Sequence, residues 1–139
     1  MRRPALGQAG NLRLEFGEAR ADAGRGVVPI YLVGAARLDL VGLSLALGLP
    51  GGGGAPLAWL AGEAGAPTLT DNGLPGTLAL SWLGGLRLQA GQRVLLGYAE
   101  ITGASADAAR LLRFFGAIAN AADGRPLAVG LPSLAVEQR

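Results

Sequence analysis

Apolar and polar side chains alternate along several short stretches of this chain, which glycine, proline, asparagine and aspartate separate. In residues 12–16 (LRLEF) and 43–47 (LSLAL), every second position is leucine or phenylalanine. A period of two is typical of a β-strand that buries one face and exposes the other. The pattern predicts eight or nine short strands, and they fall at residues 12–16, 27–33, 43–47, 57–60, 77–83, 93–101, 111–118, 126–129 and 133–137.

Two details of the pattern carry further expectations. Pro29 stands inside the second strand and cannot donate a hydrogen bond to a neighbour, so that strand is expected at a sheet edge or with a bulge. Residues 104–115 fit either an amphipathic helix or a loop through Ala108 that is followed by a strand. We favour the strand, because Phe114 and Phe115 have the aromatic character that suits one.

Many short strands at regular spacing are typical of a β-sandwich or a β-barrel, and we favour an all-β sandwich. The chain has 139 residues, and its 24 glycines and 8 prolines are spread along it, as many turns require. We expect one domain over residues 11–139. Residues 1–10 are predicted to be an N-terminal arm or the remnant of a secretory signal.

The composition argues against catalysis and metal binding. The chain contains no cysteine and no histidine, which removes thiolate and imidazole ligands and the usual general base. Ser44 and Ser81 have no histidine to activate them, and nothing brings two carboxylates together in a cleft. We therefore expect no enzyme activity, no catalytic residue, no metal and no cofactor.

The charge and the length of the apolar runs limit the kinds of partner that we expect for the chain. All 12 basic residues are arginines, they are dispersed, and the formal net charge is only +2, so no nucleic-acid partner is expected. No apolar run reaches the roughly 20 residues that a membrane-spanning helix needs. Only 16% of the residues are charged, which is below the roughly 25% of a typical soluble domain.

The order of these segments resembles that of a cohesin, the receptor module of cellulosome scaffolds. Three parts of the chain carry the resemblance, and together they cover nearly all of it from Leu12 onward. They are residues 12–17 (LRLEFG), 26–34 (GVVPIYLVG) and 41–47 (VGLSLAL); then 76–83 (GTLALSWL) and 91–101 (GQRVLLGYAEI); and finally 121–129 (AADGRPLAV) and 133–137 (SLAVE).

The resemblance implies an eight- or nine-stranded jelly-roll β-sandwich that is extracellular or attached to the cell surface. It also implies a partner of the dockerin type, a small helical module that itself carries the calcium. The family's contact positions on the third strand are commonly polar, and the matching positions here are Gly42, Ser44 and Ala46. Many cohesins have Tyr-Asp-Pro after that strand, and here only Pro50 matches.

One predicted surface stands out. If Leu43, Leu45 and Leu47 point inward, their neighbours point outward, and the same argument applies to the strands at 77–83 and 93–101. The resulting outer face contains no charge on three strands, which is unusual for a soluble monomer. We predict a partner-binding or self-association face; a register shift of one residue, or loops that cover the face, would remove it. Its predicted members are Gly42, Ser44, Ala46, Ala79, Ser81, Leu83, Leu95, Gly97 and Ala99.

Three other features have simpler explanations. Trp59 and Trp82 would suit a sugar-stacking platform, but both lie in apolar runs, which favours core packing. Residues 71–73 (DNG) offer one carboxylate, whereas a calcium loop normally uses several, so a turn is favoured. Residues 51–54 are four glycines without the lysine of a phosphate-binding loop, and we interpret them as a flexible connection.

Three functions remain under consideration. The first is a cohesin-like module that docks a partner protein on the uncharged outer face. The second is a structural subunit that uses the same face, and the arm at residues 1–10, to assemble into a filament, sheath or shell. The mean hydropathy of +0.38 favours assembly, because an apolar chain gains by burying more surface. The third is a carbohydrate-binding module, which lacks an aromatic platform.

Overall fold

The computed structural model describes residues 12–49, 57–72, 76–103 and 105–132. Within these residues the chain forms two antiparallel β-sheets, which enclose one apolar core. The all-β sandwich that the alternation predicts is therefore confirmed. The predicted strand at residues 133–137, the arm at 1–10 and the glycines at 51–54 lie outside the described residues.

The first sheet, sheet A, contains five strands. They are β1 (Leu12–Phe16), β2 (Arg20–Asp22), β3 (Arg25–Gly34), β5 (Leu57–Ala61) and β9 (Arg93–Thr102). The order across the sheet is β1-β3-β9-β5, and β2 pairs with β3 next to β1. The outer edge of β1 is covered by Gly130, whose backbone exchanges hydrogen bonds with Leu12 and Leu14.

The second sheet, sheet B, contains six strands. They are β4 (Leu38–Gly48), β6 (Leu69–Asp71), β7 (Thr77–Trp82), β8 (Leu86–Leu88), β10 (Arg113–Ala121) and β11 (Pro126–Leu127). The order is β11-β10-β4-β7-β6, and β8 pairs with the first residues of β4. The two strands at the edges of this order, β11 and β6, are much shorter than the strands that they flank.

The core lies between the inward faces of the two sheets and consists of aliphatic side chains with a few aromatic ones. The inward orientation predicted for alternate residues of β4 and β7 is confirmed, because all six are buried: Leu43, Leu45, Leu47, Leu78, Leu80 and Trp82. None of the described residues with a polar or charged side chain is buried. The core therefore gains its stability from apolar burial, with backbone hydrogen bonds formed inside each sheet.

The segment before β10 contains one helical turn, α1 (Ala106–Ala109), and the strand follows it. Ser105 caps this turn, since its Oγ accepts a hydrogen bond from the Ala108 N–H at 3.1 Å. Ala109 and Leu112 are both buried in the core. The predicted strand is present, although a helical turn and not a loop precedes it, and β10 begins at Arg113 and not at residue 111.

Pro29 lies in an interior strand and not at a sheet edge. Its carbonyl accepts a hydrogen bond from the Gly17 N–H at 2.8 Å, so its nitrogen points toward the same side of β3. That side is interrupted here, because β1 ends at Phe16 and β2 begins at Arg20. Because neither β1 nor β2 extends into this gap, the missing N–H of Pro29 costs no hydrogen bond between strands. The expected bulge is present one residue later, where the pairing of β3 with β9 shifts between Ile30 and Tyr31.

This bulge makes part of the predicted outer face wrong. Leu95 lies opposite Tyr31 and Gly97 lies opposite Ile30, so Leu96 is an extra residue that reverses the alternation of β9. Gly97 is buried and Ala99 is fully buried in the core, although both were predicted to point outward. In addition, β9 belongs to sheet A, so Leu95 cannot share a face with β4 and β7.

Candidate protein-docking face

The outer surface of sheet B consists of side chains that lie side by side on neighbouring strands. Directly opposite residues of paired strands point to the same side of a sheet, so the pairing defines two rows across β10, β4, β7 and β6. The first row is Ile118, Ser44, Ser81 and Leu69. The second row is Gly116, Ala46, Ala79 and Asp71.

The middle of this surface is a shallow depression of about 340 Å³. We call its outward-facing residues the uncharged face, and they are Ser44, Ala46, Ala79, Ser81, Gly116 and Ile118. The floor is low because four of the six side chains are alanine or serine and a fifth is glycine. Larger apolar groups flank it, with exposed Phe115 and Ile118 on the β10 side and exposed Leu69 on the β6 side.

Polar groups on the uncharged face satisfy each other. The Ser44 and Ser81 hydroxyl oxygens are 2.9 Å apart and share one hydrogen bond. One hydroxyl proton therefore remains available to a bound group. Charges lie only around the face: Asp39 pairs with Arg87 beyond one end at 3.2 Å, and Asp71 lies on the edge strand.

Arg113 lies beyond the other end of the uncharged face, opposite Gly48 at the start of β10. Its Nε atom is buried and has no hydrogen-bond partner among the described residues. Phe115 lies next to it, and a Cβ added to Gly48 would come within 2.8 Å of the Phe115 ring. Because Gly48 has no side chain, the Phe115 ring has room to lie over β4 at this position.

The structure brings together most of the predicted site residues. Ser44, Ala46, Ala79 and Ser81 share one surface, and exposed Leu83 follows at the end of β7. Gly42 belongs to the same side of β4 but is buried beside Asn120. Leu95, Gly97 and Ala99 lie on the other sheet.

Sequence reasoning missed the contribution of β10 and β6 to this surface. Gly116 and Ile118 alternate with Ala117 and are compatible with one outward face, but the bulge at Phe115 interrupts the pattern. Strand β6 is only three residues long, which is too short for alternation to reveal it. Neither strand carries a local signal that assigns it to the neighbourhood of β4 or β7.

The outer surface of sheet A differs from that of sheet B in its charge. Glu15 accepts hydrogen bonds from Arg13 at 3.0 Å and from Arg93 at 3.3 Å. The guanidinium carbon of Arg93 lies 3.6 Å from the centre of the Tyr31 ring, a cation–π contact. Arg25 and Glu100 form a further ion pair at 3.1 Å on this sheet.

The described part of the chain does not form the other sites that the sequence suggested, a tryptophan platform and a calcium loop. Trp82 is buried, and its ring meets that of Trp59 edge to face with 5.8 Å between the ring centres, so core packing is confirmed for this pair. The Asn72 side chain donates to the Leu57 carbonyl at 2.9 Å, as expected of a structural turn residue. The described residues hold no cluster of acidic side chains that would bind a metal ion. Among the same residues, no helix is long and apolar enough to span a membrane.

The fold and this surface define a class: a β-sandwich domain with one charged and one uncharged outer face. No known protein family matches the chain, and no curated protein matches it. Among solved structures, it is similar to CsgH of R. palustris at 16% sequence identity, over 80% of each chain, with a TM-score of 0.35. That likeness carries no argument about function. The cohesin family is not identified by any of these comparisons, so the resemblance to it remains a prediction.

Proposed function

We propose that this chain is a non-catalytic protein-binding domain that docks a partner protein on the uncharged face of sheet B. The observation that carries the proposal is the contrast between the two outer surfaces of one sandwich. Sheet A presents ion pairs to solvent, whereas the central residues of sheet B present only small or apolar side chains. Contiguous apolar surface on a soluble domain commonly marks an interaction site.

The energetics indicate how a partner would use this surface. Full burial of a leucine, isoleucine or phenylalanine side chain is worth about 1.5–3 kcal/mol. Leu69, Phe115 and Ile118 are already half-buried, so each would supply roughly 1 kcal/mol by the same measure. Association costs about 4–15 kcal/mol. A partner must therefore also cover the low floor of alanine and serine, which requires a close, complementary surface.

The chemistry of the face favours binding over catalysis. Ser44 and Ser81 bond to each other, and the described residues that line this face include no basic group that would activate a hydroxyl. The face also contains no charge that a partner would have to desolvate, which keeps the cost of covering it low. An extracellular setting and a dockerin-type partner are finer parts of the proposal, and they rest on the sequence resemblance alone.

Site-specific photo-crosslinking in the cells that produce the protein tests this function. A photoreactive amino acid is placed at Ala79, on the uncharged face, and separately at Ala58, which is an exposed alanine on the outer surface of sheet A. We expect a discrete crosslinked partner from position 79 and little from position 58. Equal labelling from both positions, or none from position 79, would contradict the proposal.

A narrower experiment tests the dockerin version. The purified domain is mixed with calcium-loaded dockerins encoded in the same genome, and binding is measured by pull-down. Failure with all of them removes that version but leaves docking of another protein. The carbohydrate-binding alternative gains nothing from Trp59 and Trp82, because Trp82 is buried and the two rings meet edge to face and so form no flat platform.

A further inference from the structure

The long strand β10 has an outer edge that the described residues leave open. Strand β11 covers only its last part, where Leu127 lies opposite Ala119 and Pro126 lies opposite Asn120. Among residues 12–49, 57–72, 76–103 and 105–132, no strand lies beside the stretch from 113 to 118 on that side. Residues 114–118 of this open stretch contain no charge and no proline, the devices that usually protect a sheet edge from pairing.

The direction of the backbone groups follows from the pairing. The Ala121 N–H donates to the Arg125 carbonyl, on the side away from β4, and the Ala122 N–H donates to the Asp39 carbonyl, on the side of β4. Successive residues alternate in this respect, so the N–H and C=O of Ala117 point away from β4, beyond the end of β11. The N–H and C=O of Phe114 also point away from β4. Phe114 lies opposite Leu47 and Ala117 lies opposite Leu45. Leu45 and Leu47 are two residues apart on β4, so their backbone groups, and those of the residues opposite them, have the same direction.

The other described sheet edges are better protected. Gly130 covers β1, and β6 is only three residues long and includes Asp71. At the β5 edge, the Leu57 carbonyl is occupied by the Asn72 side chain. The chain after β5 then folds back to Gly65, whose carbonyl accepts a hydrogen bond from the Trp82 indole at 3.1 Å.

We infer that β10 pairs with β10 of a second copy of this chain, antiparallel and about a two-fold axis, to join two copies of sheet B into one continuous sheet. The position of the axis follows from the open stretch. To keep each β11 clear of the other copy, the axis must pass through the middle of residues 113–118, between Phe115 and Gly116. Ala117 of each copy then lies opposite Phe114 of the other, and both present outward backbone groups.

The residues near this axis leave room for the backbone of a second copy. Each Phe115 falls opposite the other copy's Gly116, and a Cβ added at Gly116 would meet no atom within 4 Å. Gly116 also has no positive φ, so neither the backbone nor a neighbouring group requires glycine there in a single copy. The Phe115 ring lies over Gly48 of its own copy, so the space beside Gly116 stays open for the backbone of a second copy, and a larger side chain at Gly116 would block that approach.

This pairing does not depend on the partner-docking function, since it uses a strand edge and not the centre of the face. A two-fold axis perpendicular to the sheet keeps both uncharged faces on the same side, so the dimer doubles their width. An isologous contact of this kind closes on itself. It therefore gives a dimer, and a filament, sheath or shell would need a second contact.

Light scattering coupled to size-exclusion chromatography tests the inference on the full chain. We expect the mass to rise with concentration from 14.0 kDa to twice that value, and the Ala117 amide to gain protection from hydrogen exchange in the dimer. Gly116→Val should give a monomer with unchanged or higher thermal stability, because its added atoms have open space in a single copy. A wild-type chain that stays monomeric up to about 1 mM, or a Gly116→Val dimer, would overturn the inference.

Two lysine variants provide a matched pair in case Gly116→Val does not fold. Ile118 on β10 and Leu60 on β5 are exposed to nearly the same extent, 51% and 53%. Ile118→Lys should abolish the dimer, whereas Leu60→Lys should keep it; loss in both or in neither contradicts pairing through β10. Ala79→Arg, two strands away from the open edge, separates the proposals, since it should block docking on the face and leave the dimer intact.

Discussion

The two outer surfaces of this sandwich are built by the same alternation but present different chemistry to solvent. On sheet A, outward positions carry Arg13, Glu15 and Arg93, which are linked through the Glu15 carboxylate. On sheet B, the corresponding central positions carry serine, alanine and glycine. The fold requires only that the inward positions be apolar, so the outward positions are free to differ.

The two surfaces differ in the free-energy cost of removing their hydration when a protein covers them. Covering the Glu15 network would remove hydration from three charged groups, and the effective penalty is several kcal/mol per ion after relaxation. Covering the uncharged face removes hydration mainly from methyl groups and from two hydroxyls that already bond to each other. Three pairs of variants would break or sharpen this comparison, with effects on stability that decrease from the first pair to the third.

The largest effect is expected from a pair of glycines, one in each sheet. A Cβ at Gly97 in β9 would come within 2.5 Å of the Leu60 carbonyl oxygen and of the Trp59 ring, so Gly97→Ala must displace β5. We expect a loss of roughly 2 kcal/mol in the free energy of unfolding, as is typical of overpacking. Gly116→Ala on β10 should change it by no more than about 0.5 kcal/mol.

Urea unfolding of the two alanine variants measures this difference. The comparison is internally controlled, because both substitutions add one methyl group to a long strand. Equal losses in the two variants, measured at a concentration where the chain is monomeric, would mean that a group of the same copy fills the space around Gly116, and the dimer inference would then lose its main support. A harmless Gly97→Ala would contradict the close approach of β5 to β9.

These two glycines also show where sequence reasoning succeeds and where it stops. Leu45 and Leu80 were assigned to the core correctly, because each lies in a regular strand whose alternation is unbroken. Gly97 and Ala99 were assigned wrongly, because the extra residue at Leu96 arises from the pairing of β9 with β3 and leaves no mark in the local pattern.

The membership of a strand in one sheet or the other is likewise not a local property. Strand β9 has the same kind of alternation as β7, yet it lies in the opposite sheet between β3 and β5. Four of the six residues of the uncharged face were therefore predictable, those of β4 and β7. The contribution of Gly116 and Ile118 depends on long-range pairing of β10 with β4 and emerges only from the structure.

The second pair of variants tests the charged surface. Glu15→Gln removes the carboxylate that bonds to Arg13 and Arg93 on sheet A. We expect a loss of about 0.5–1 kcal/mol in the free energy of unfolding, since these are partly exposed pairs. The loss should shrink in about 1 M salt, where the screening length falls to roughly 3 Å.

Ser81→Ala on sheet B is the control for this measurement. It removes the Ser44 hydrogen bond but no charge, so its small effect should be the same at low and high salt. Urea unfolding at both salt concentrations provides the comparison. A salt-independent loss in Glu15→Gln would mean that the side chain acts through packing, and the contrast between the two surfaces would not be one of charge.

The smallest effect concerns the turn that joins β10 to β11, where sheet B carries charge at its periphery. The pKa of Asp123 is lowered from its ordinary value of 3.8, chiefly by the Arg125 backbone N–H and then by the Arg125 side chain. A carboxyl group whose folded pKa is lowered stabilises the fold above its ordinary pKa, and this contribution disappears as the pH falls through the folded pKa. Asp123→Asn should therefore be slightly less stable than wild type at about pH 6, and the difference should shrink as the pH falls below the ordinary pKa of 3.8.

Arg125→Ala distinguishes the two causes of this shift. The variant keeps the backbone N–H that donates to Asp123 at 3.0 Å and removes the guanidinium that donates at 2.7 Å. Because the backbone bond is the largest single cause, part of the pH dependence should survive in Arg125→Ala and disappear only in Asp123→Asn. Urea unfolding across the acidic range measures it. If Arg125→Ala removes the whole pH dependence, the guanidinium and not the turn backbone holds the carboxylate, and the charge at this end of sheet B belongs to a side-chain pair like those of sheet A.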